Sequence, residues 1–487
     1  MGDFQNITKT DFLRYLETPR HLWAHKHNRI TVGPSDFDQF LMNQGYQVEA
    51  LARNYFQNYC ANIKTEDTVS LQETFSDGAY SARIDALVHN STTGTDEFFE
   101  IKSSSSLKTE FIPDAAFQYL VLNTYRSIQR VFILHLNKDY IRHGQLDIQA
   151  LFTIEDITES VLDVLPEIRI QRENALHAIQ SDSPGHLQGC YKPADCPCPD
   201  ICHPNLPERS IFDIPRLSTR KKDKLRDQGI IDIEDVPQEF PLSAKQRLVV
   251  EVAQTNQEHI DLPALILEFQ KFSYPLYFLD YETCLSAIPV FDHFHPQQHI
   301  VFQYSLHKLI QPDANLLHSD FISTVKSDPS QALLEQLHTS ILDDNGTVFV
   351  WNKTFEMTRN KELALLQPDF APFLENLNGR IYDLGNLINK GYYLHPAFKG
   401  SWSIKNVLPV MVPDLQYQGL DVEKGDQAML AWYKLVFESS ETTEKEKIKK
   451  SLLDYCELDT LAMVHIFQRL QSIMAAWIQV SSATVII

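Results

Sequence analysis

Along the chain the spacing of apolar residues changes period several times, and each change marks an element. KTDFLRYLETPRHLWAHKH, from Lys9, and NQGYQVEALARNYFQNYC, from Asn43, carry apolar side chains at helical intervals. The period then drops towards two. SARIDALVH and EFFEIK are rich in β-branched and aromatic residues and flank the polar run NSTTGTD, which predicts a β-hairpin. PDAAFQYLVLNTYRSI reads as a helix after its proline and RVFILHLN as a buried strand, so an α/β domain is expected to close near residue 205. Residues 212–250 read as a short basic helix, a Gly-Ile turn in QGIIDIEDVP and a second helix. Further on, LYFLDYET is a buried strand interrupted by two acids, and HIVFQYSLHKLI and LLHSDFIST suit the next two strands. The helix SQALLEQLHTSIL, the strand GTVFVWN and the helices NKTFEMTRNKELALL and LLDYCELDTLAMVHIFQRL follow. No internal repeat or low-complexity tract interrupts this order, and an α/β multidomain protein is expected.

Three of these elements place acids together. If the hairpin turn is symmetric, its centre falls between Thr92 and Thr93, and Asp85 faces Glu100 across the ladder with Lys102 on the same side. Like charges facing each other on paired strands destabilise the pair unless something compensates, and a divalent cation would. The alternative is a solvated hairpin whose charges keep an edge strand soluble. Asp280 and Glu282 share one face of their strand, and Tyr455 and Asp459 share one face of their helix. Glu356 falls in the first turns of its helix.

Composition narrows the class. The 487 residues are 43% hydrophobic and 22% charged, as in a soluble globular protein of about two to four domains. No apolar run approaches the roughly 18 residues of a membrane span, and MGDFQNITKTDF has neither a secretory core nor a myristoylation signal, so a cytoplasmic protein with no membrane partner is expected. A net charge of −21 argues against a protein that coats nucleic acid, but not against a nuclease, whose metal sites are acidic and whose basic grooves are local. The one local basic run, RLSTRKKDKLR, reads by itself as a solvated helix face. Of seven cysteines, Cys60, Cys284 and Cys456 read as reduced core or strand residues. Cys190, Cys196, Cys198 and Cys202 lie together, which points to metal or iron–sulfur ligation before disulfides. Their spacing fits a plain zinc site poorly, and the Cys-Pro-Cys step is expected to keep both its thiolates from one centre.

Residues 1–205 resemble RecB-like PD-(D/E)XK nucleases. Gly45 and Glu49 match a helical Gly-x-x-x-His/Glu pattern, Asp85, Glu100 and Lys102 match the Asp…Glu-x-Lys core, and Gln118 falls where the family has a Gln-containing motif. The family's Tyr four residues later is absent, position 122 being Leu. The resemblance implies a restriction-endonuclease-like fold, Mg2+ or Mn2+ on Asp85 and Glu100 with Glu49 as a further ligand, Lys102 as the catalytic base or charge stabiliser, and Gln118 as a nucleic-acid contact. Some members hold a [4Fe–4S] cluster through one upstream and three downstream cysteines. Here Thr18 stands where the upstream Cys would precede Pro19, so a cluster on Cys190, Cys196, Cys198 and Cys202 is implied, with zinc or a lost cluster as alternatives.

Residues 206–265 resemble a helix-hairpin-helix element whose turn offers N–H groups to a phosphate, with Arg220, Lys221, Lys222 and Lys224 as nucleic-acid contacts; a helical spacer is the alternative. Residues 270–487 resemble DnaQ-like, DEDD-type 3′–5′ exonucleases on an RNase H-like fold. Asp280-x-Glu282 matches the first motif, WNKTFE the second with Glu356 in place of Asp, and Tyr455-x-x-x-Asp459 the Tyr-type third motif. By that resemblance Asp280, Glu282 and Asp459 bind two metal ions, Glu356 holds one through water, and Tyr455 orients the attacking water. Apart from the resemblance, Asp383 in IYDLGNLI is a candidate substitute ligand with a capping or turn role as the alternative, and Lys405 in WSIKN a candidate phosphate contact with a solvated side chain as the alternative. Together with FQYSLH, GSWSIKNVLP and DYCELDTLAMV, the layout is similar to a bacterial family of uncharacterised fused nucleases. It implies a metal-dependent hydrolase of DNA, in repair or in defence against foreign DNA. A nucleic-acid-binding scaffold with degenerate sites and an RNA-processing exonuclease are the alternatives.

Overall fold

Alternation of side chains along buried strands organises both halves of this mixed α/β protein. A computed structural model describes residues 6–30, 33–62 and 67–484, apart from the side chains of 58–62 and 478–484, so Cys60 lies outside the described side chains. The chain divides into two units, Met1–Asn205 with Ser286–Gln298, and Leu206–Leu285 with His299–Ile487.

The first unit runs β1 (Ile7–Thr8), α1 (Lys9–Glu17), α2 (Pro19–Lys26), α3 (Asp36–Asn62), β2 (Thr68–Asp77), β3 (Tyr80–Asn90), β4 (Thr95–Lys102), α4 (Phe111–Leu122), β5 (Ile128–Leu136), α5 (Ile148–Leu151), β6 (Phe152–Asp156), α6 (Thr158–Gln180) and α7 (Pro199–Cys202). The expected first helix is two. Thr8 and Asp11 form a capping box that starts α1, and extended Thr18 followed by Pro19 ends it and starts α2. The sheet order is β1-β3-β4-β5-β6, with β2 also on β3. Neighbouring residues of β5 enter opposite cores. Val131 and Ile133 pack with Phe12, Phe117, Val161 and Ile168 of α1, α4 and α6, while Phe132 and Leu134 pack with Val48, Ala52 and Phe56 of α3. Residues 286–298 complete the unit: Gln297 Nε2 donates to Ser103 O (2.6 Å), and Arg142 Nη1 donates to Pro289 O and Val290 O (2.9 and 3.0 Å).

The second unit contains α8 (Thr219–Asp227), α9 (Ala244–Thr255), β7 (His259–Ile260), α10 (Leu262–Phe269), β8 (Leu276–Ser286), β9 (Gln298–Leu309), β10 (Leu317–Ile322), α11 (Ser330–Ser340), β11 (Val348–Val350), α12 (Lys353–Leu366), α13 (Ala371–Arg380), β12 (Ile381–Asp383), α14 (Asn386–Asn389), β13 (Tyr393–Leu394), α15 (Ile404–Met411), α16 (Gly425–Tyr433) and α17 (Thr442–Thr484). Its main sheet has the order β10-β9-β8-β11-β12, with β9 and β10 antiparallel and β11 parallel to both neighbours. Tyr277, Leu279 and Tyr281 of β8 enter the core shared with α11, α12 and α13. The residues between them face the other way, and Phe278 meets Phe467 of α17 with ring centroids 5.9 Å apart.

The helix-hairpin-helix expectation needs correction. Gly229 N donates to Arg226 O and Ile230 N to Leu225 O, both at 2.9 Å, so these turn amides close the end of α8 and are not offered to a phosphate. The next helix, α9, begins only at Ala244, after a 3-10 turn at Ile233–Asp235. Residues 206–265 cluster with the second unit. No helix among the described residues is long and apolar enough to cross a membrane.

Candidate metal centres

The second unit gathers acids from separate elements. Asp280 and Glu282 lie two apart on β8, on the face that carries Phe278 towards α17. On α17, Tyr455, Asp459, Met463 and Phe467 recur every four residues, so the contact that seats Phe467 on Phe278 brings Asp459 over the two strand acids. Glu356 enters from the first turn of α12, the end of the helix whose dipole favours an anion. Asp383 ends β12 opposite Val350 and accepts from Lys353 N (3.2 Å).

The electrostatics express this crowding. Burial pushes the Asp280 carboxyl well above its ordinary range, and the charges of Asp459, Glu282 and Glu356 add to it. Burial and Asp459 do the same to Glu282, with Lys405 opposing. Glu356 is pushed up to about 8 by burial and by Asp383, and its Oε2 is buried without a hydrogen-bond partner. Asp459 rises to about 6 through burial, restrained by hydrogen bonds from Tyr417 and Tyr455. Tyr417 OH donates to Asp459 Oδ1 (2.5 Å). The Lys405 ammonium lies over both rings, 5.5 Å from that of Tyr417 and 5.4 Å from that of Tyr455, and donates to Glu423 O. Cys456, expected only in the core, places Sγ 3.8 Å from Asp280 Oδ2. Such hard oxygen donors, mutually repelling and partly unpartnered, fit Mg2+ or Mn2+.

The first unit presents a cleft of about 300 Å³, lined among others by Lys9, Glu49, Arg83, Asp85, Glu100 and Lys102. The hairpin register runs through Ala86↔Phe99, which sets Asp85 beside Glu100. Beyond that pair Asp85 turns its carboxylate to the chain, accepting from Ile101 N (2.9 Å) and Gln72 Nε2 (3.1 Å). Gln72 sits at a φ of 58°, a left-handed conformation in mid-strand, next to the site. Glu100 is wholly enclosed: Lys9 and Lys102 donate to Oε1 (2.7 and 2.8 Å) and Gln118 Nε2 to Oε2 (2.7 Å). Burial opposes its ionisation, but the two lysines outweigh burial and hold the carboxyl well below its ordinary range. Asp85 moves the other way, up to about 7, through burial and the Glu100 charge, with Lys9 opposing. Asp114 joins from α4, accepting from Lys102 Nζ (2.5 Å) and Gln118 Nε2 (2.9 Å). Glu49 lines the cleft with its carboxylate paired to Arg53 Nη2 at 2.7 Å.

Gln118 is corrected from a nucleic-acid contact to a positioning residue, because it is fully buried and its amide nitrogen donates to Glu100 and Asp114. On α8, Arg220 and Lys224 are exposed and Lys221 is half-buried, while half-buried Lys222 reaches over the Phe212 ring. Cys190, Cys196, Cys198 and Cys202 do converge, but with His21 and His203 among them, which the spacing of the cysteines did not signal. Contrary to expectation, Cys196 and Cys198 share one group of ligand atoms. Lys9 and Tyr417 were also missed; Lys9 is 91 positions from its partner Glu100. Asp114 could have been found, since it lies one turn from Gln118 on the same helix face.

The family described as "Domain of unknown function (DUF2779)" matches residues 277–403. That segment holds Asp280, Glu282, Glu356 and Asp383 and stops short of Tyr455 and Asp459. The "Uncharacterized protein MG366 homolog" of Mycoplasma pneumoniae is 26% identical over 218 residues, which are 41% of this chain and 32% of that protein. The "Uncharacterized protein MG366" of Mycoplasma genitalium is 24% identical over 216 residues, 40% of this chain and 32% of that protein. The chain thus spans about a third of the length of these curated relatives. A solved structure titled "Crystal structure of SSO0001" shares 10% identity, covers 34% of this chain and 76% of its own, and has a TM-score of 0.21.

Proposed function

We propose that the protein is a divalent-metal-dependent nuclease, with its principal hydrolytic centre in the second unit. The observation that carries this reading is the gathering of Asp280, Glu282, Glu356 and Asp459, three of them buried: burial raises the proton affinity of all four, the Asp459 charge adds to it at Asp280 and Glu282, and Asp280 and Glu282 share one close group of ligand atoms with Cys456. Asp280, Glu282 and Asp459 would hold Mg2+ or Mn2+, and Glu356 would complete the set. When bound, the cations would neutralise these acids and offset the negative charge that grows on a phosphate during hydrolysis. Tyr417 fixes Asp459 through its hydroxyl hydrogen bond. Tyr455, kept a neutral phenol by burial and the surrounding acids, is placed to orient water. Lys405, beside both rings, supplies positive charge for a phosphate. By its resemblance to DEDD exonucleases, the unit would release nucleotides from 3′ ends.

The first unit is read as a second centre of the same class, with a PD-(D/E)XK-like fold. Asp85 and Glu100 would hold the cation, with Glu49 on the cleft wall. Lys9 and Lys102 occupy Glu100 in the metal-free state, so a bound cation would compete with Lys9 and leave Lys102 as the charge stabiliser. Gln118 keeps the second Glu100 oxygen in place.

The test uses DNA and RNA oligonucleotides, single- and double-stranded, labelled at either end and incubated with Mg2+, Mn2+ or EDTA. Cation-dependent release of nucleotides is expected, with D280A abolishing the second unit's products and K102A the first unit's. Loss in the double variant of all turnover, with salt-sensitive binding retained, would locate the chemistry in these residues. Single and double variants that all match wild type would refute the assignment. Preference for RNA over DNA would favour the RNA-processing alternative.

A further inference from the structure

The Cys-rich segment after α6 is folded back onto α2. Arg20 holds it through four carbonyls, with Nε on Leu187 O (2.7 Å), Nη1 on Ile201 O and Cys202 O (2.9 and 3.0 Å) and Nη2 on Gly185 O (3.0 Å). Gly189 permits the close turn, since a Cβ there would stand 2.8 Å from Cys202 O. One residue after Arg20, His21 points into the loop. Its ring and the thiols of Cys196, Cys198 and Cys202 offer four ligand atoms, all within 4.8 Å of one another.

The distances discriminate between cofactors. A tetrahedral zinc ion with bonds of about 2.3 Å to sulfur and about 2.0 Å to nitrogen separates two sulfurs by about 3.8 Å and a sulfur from a nitrogen by about 3.5 Å. Cys198 Sγ and Cys202 Sγ are 3.8 Å apart, and Cys196 Sγ and His21 Nε2 are 3.4 Å apart. The sulfurs are thus too far apart for a disulfide and at the spacing of two ligands on one ion. An iron–sulfur cubane places its own irons and sulfides between the cysteine sulfurs, which must then stand much further apart than Cys198 and Cys202 do. Cys190, His203 and Cys196 form a second group of ligand atoms, but Cys190 Sγ lies only 3.0 Å from His203 Nε2, a direct hydrogen-bonding contact shorter than a tetrahedral edge. The second ring nitrogen of His21 faces Glu17, with Nδ1 3.7 Å from Oε2, and metal-bound histidines commonly direct their other N–H at such a carboxylate.

We propose that the first unit holds one tetrahedral zinc ion through His21, Cys196, Cys198 and Cys202, with Cys190 and His203 as a hydrogen-bonded pair beside it. Binding displaces thiol protons and involves no electron transfer. The ion joins α2 to a segment 175 positions away, so it acts as a clasp for the unit. The assignment replaces the four-cysteine set by one in which a histidine from α2 takes the place of Cys190.

Metal content and spectra of the purified full chain test it. Zinc at about one equivalent in a colourless protein is expected, and replacement by Co2+ should give the intense visible bands of a tetrahedral thiolate site. Zinc retention against a chelator should fall at least about tenfold in H21A, return in H21C and be unchanged in C190S. Co2+ exchange into the wild-type chain keeps the test open if H21A fails to fold. A brown protein with about four irons per chain, zinc lost in C190S but kept in H21A, or a pale octahedral Co2+ spectrum would each overturn the proposal.

Discussion

Replacing Glu356 with Gln isolates the electrostatic cost of the acid cluster in the second unit. Glu356 is 2% exposed, Oε2 meets no donor, and burial together with Asp383 lifts its carboxyl to about 8, against opposition from Arg359. An acid raised in this way holds its proton more tightly in the fold than in the unfolded chain. Its stabilising contribution is complete below the ordinary value of 4.5 and is lost as pH climbs towards about 8. At about 1.36 kcal/mol per pKa unit the whole loss would be about 5 kcal/mol. The partial exposure of neighbouring Asp280 and relaxation of the site reduce it, leaving about 1–3 kcal/mol expected in solution. Urea unfolding of the full chain in EDTA, followed by tryptophan fluorescence at pH 5, 6.5 and 8, measures the effect. Wild type should weaken across that range and E356Q should weaken less, so that the variant matches wild type at pH 5 and exceeds it at pH 8. Added Mg2+ should stabilise wild type more than E356Q. Parallel pH profiles for the two proteins in EDTA would refute the reasoning.

Other substitutions probe the frame around the sites. Gln118→Leu removes the donor shared by Glu100 and Asp114, and with about 1.5–3 kcal/mol at stake for each charged hydrogen bond, a net loss of about 2–4 kcal/mol is expected in urea unfolding. Loss of DNA affinity at unchanged stability would instead restore Gln118 as a nucleic-acid contact. Gly400→Ala forces a side chain onto a φ of 66° and sets Cβ 2.0 Å from Asp213 O, so a loss of about 2–4 kcal/mol is expected by the same assay. Gly379→Ala, in open space within α13, should be neutral or slightly stabilising, and a comparable loss there would show that the contact with Asp213 is not the cause.

Local chemistry made some of this structure readable from sequence, and distance in the chain hid the rest. The symmetric polar turn around Thr92 and Thr93 predicted the observed Ala86↔Phe99 register, and with it the nearness of Asp85 and Glu100. The two-residue step from Asp280 to Glu282 and the four-residue step from Tyr455 to Asp459 likewise identified faces. β2 went unassigned because its alternation is short and broken: Val69 and Leu71 pack on one core, Phe75 beyond the left-handed Gln72 packs on the other, and most of its residues are only half-buried. α6 went unassigned with Pro166 in its interior. Lys9, Tyr417 and His21 carry no local mark: a lysine at a helix start, a tyrosine in a loop and a histidine in a short helix are ordinary residues until the fold brings distant segments together. Charge balance hid the role of Gln118 too, since only the buried position of Glu100 requires a neutral donor beside two lysines.

The discontinuity of the first unit bears on how the protein is made. Gln44, Ser103 and Arg142 have partners among residues 287–297, which follow residue 205 by a long stretch of chain. On the ribosome, those three groups must therefore wait for these partners until the later segment has been synthesised. A fragment ending at residue 205 would remain in that waiting state, and its solubility would understate that of the intact protein.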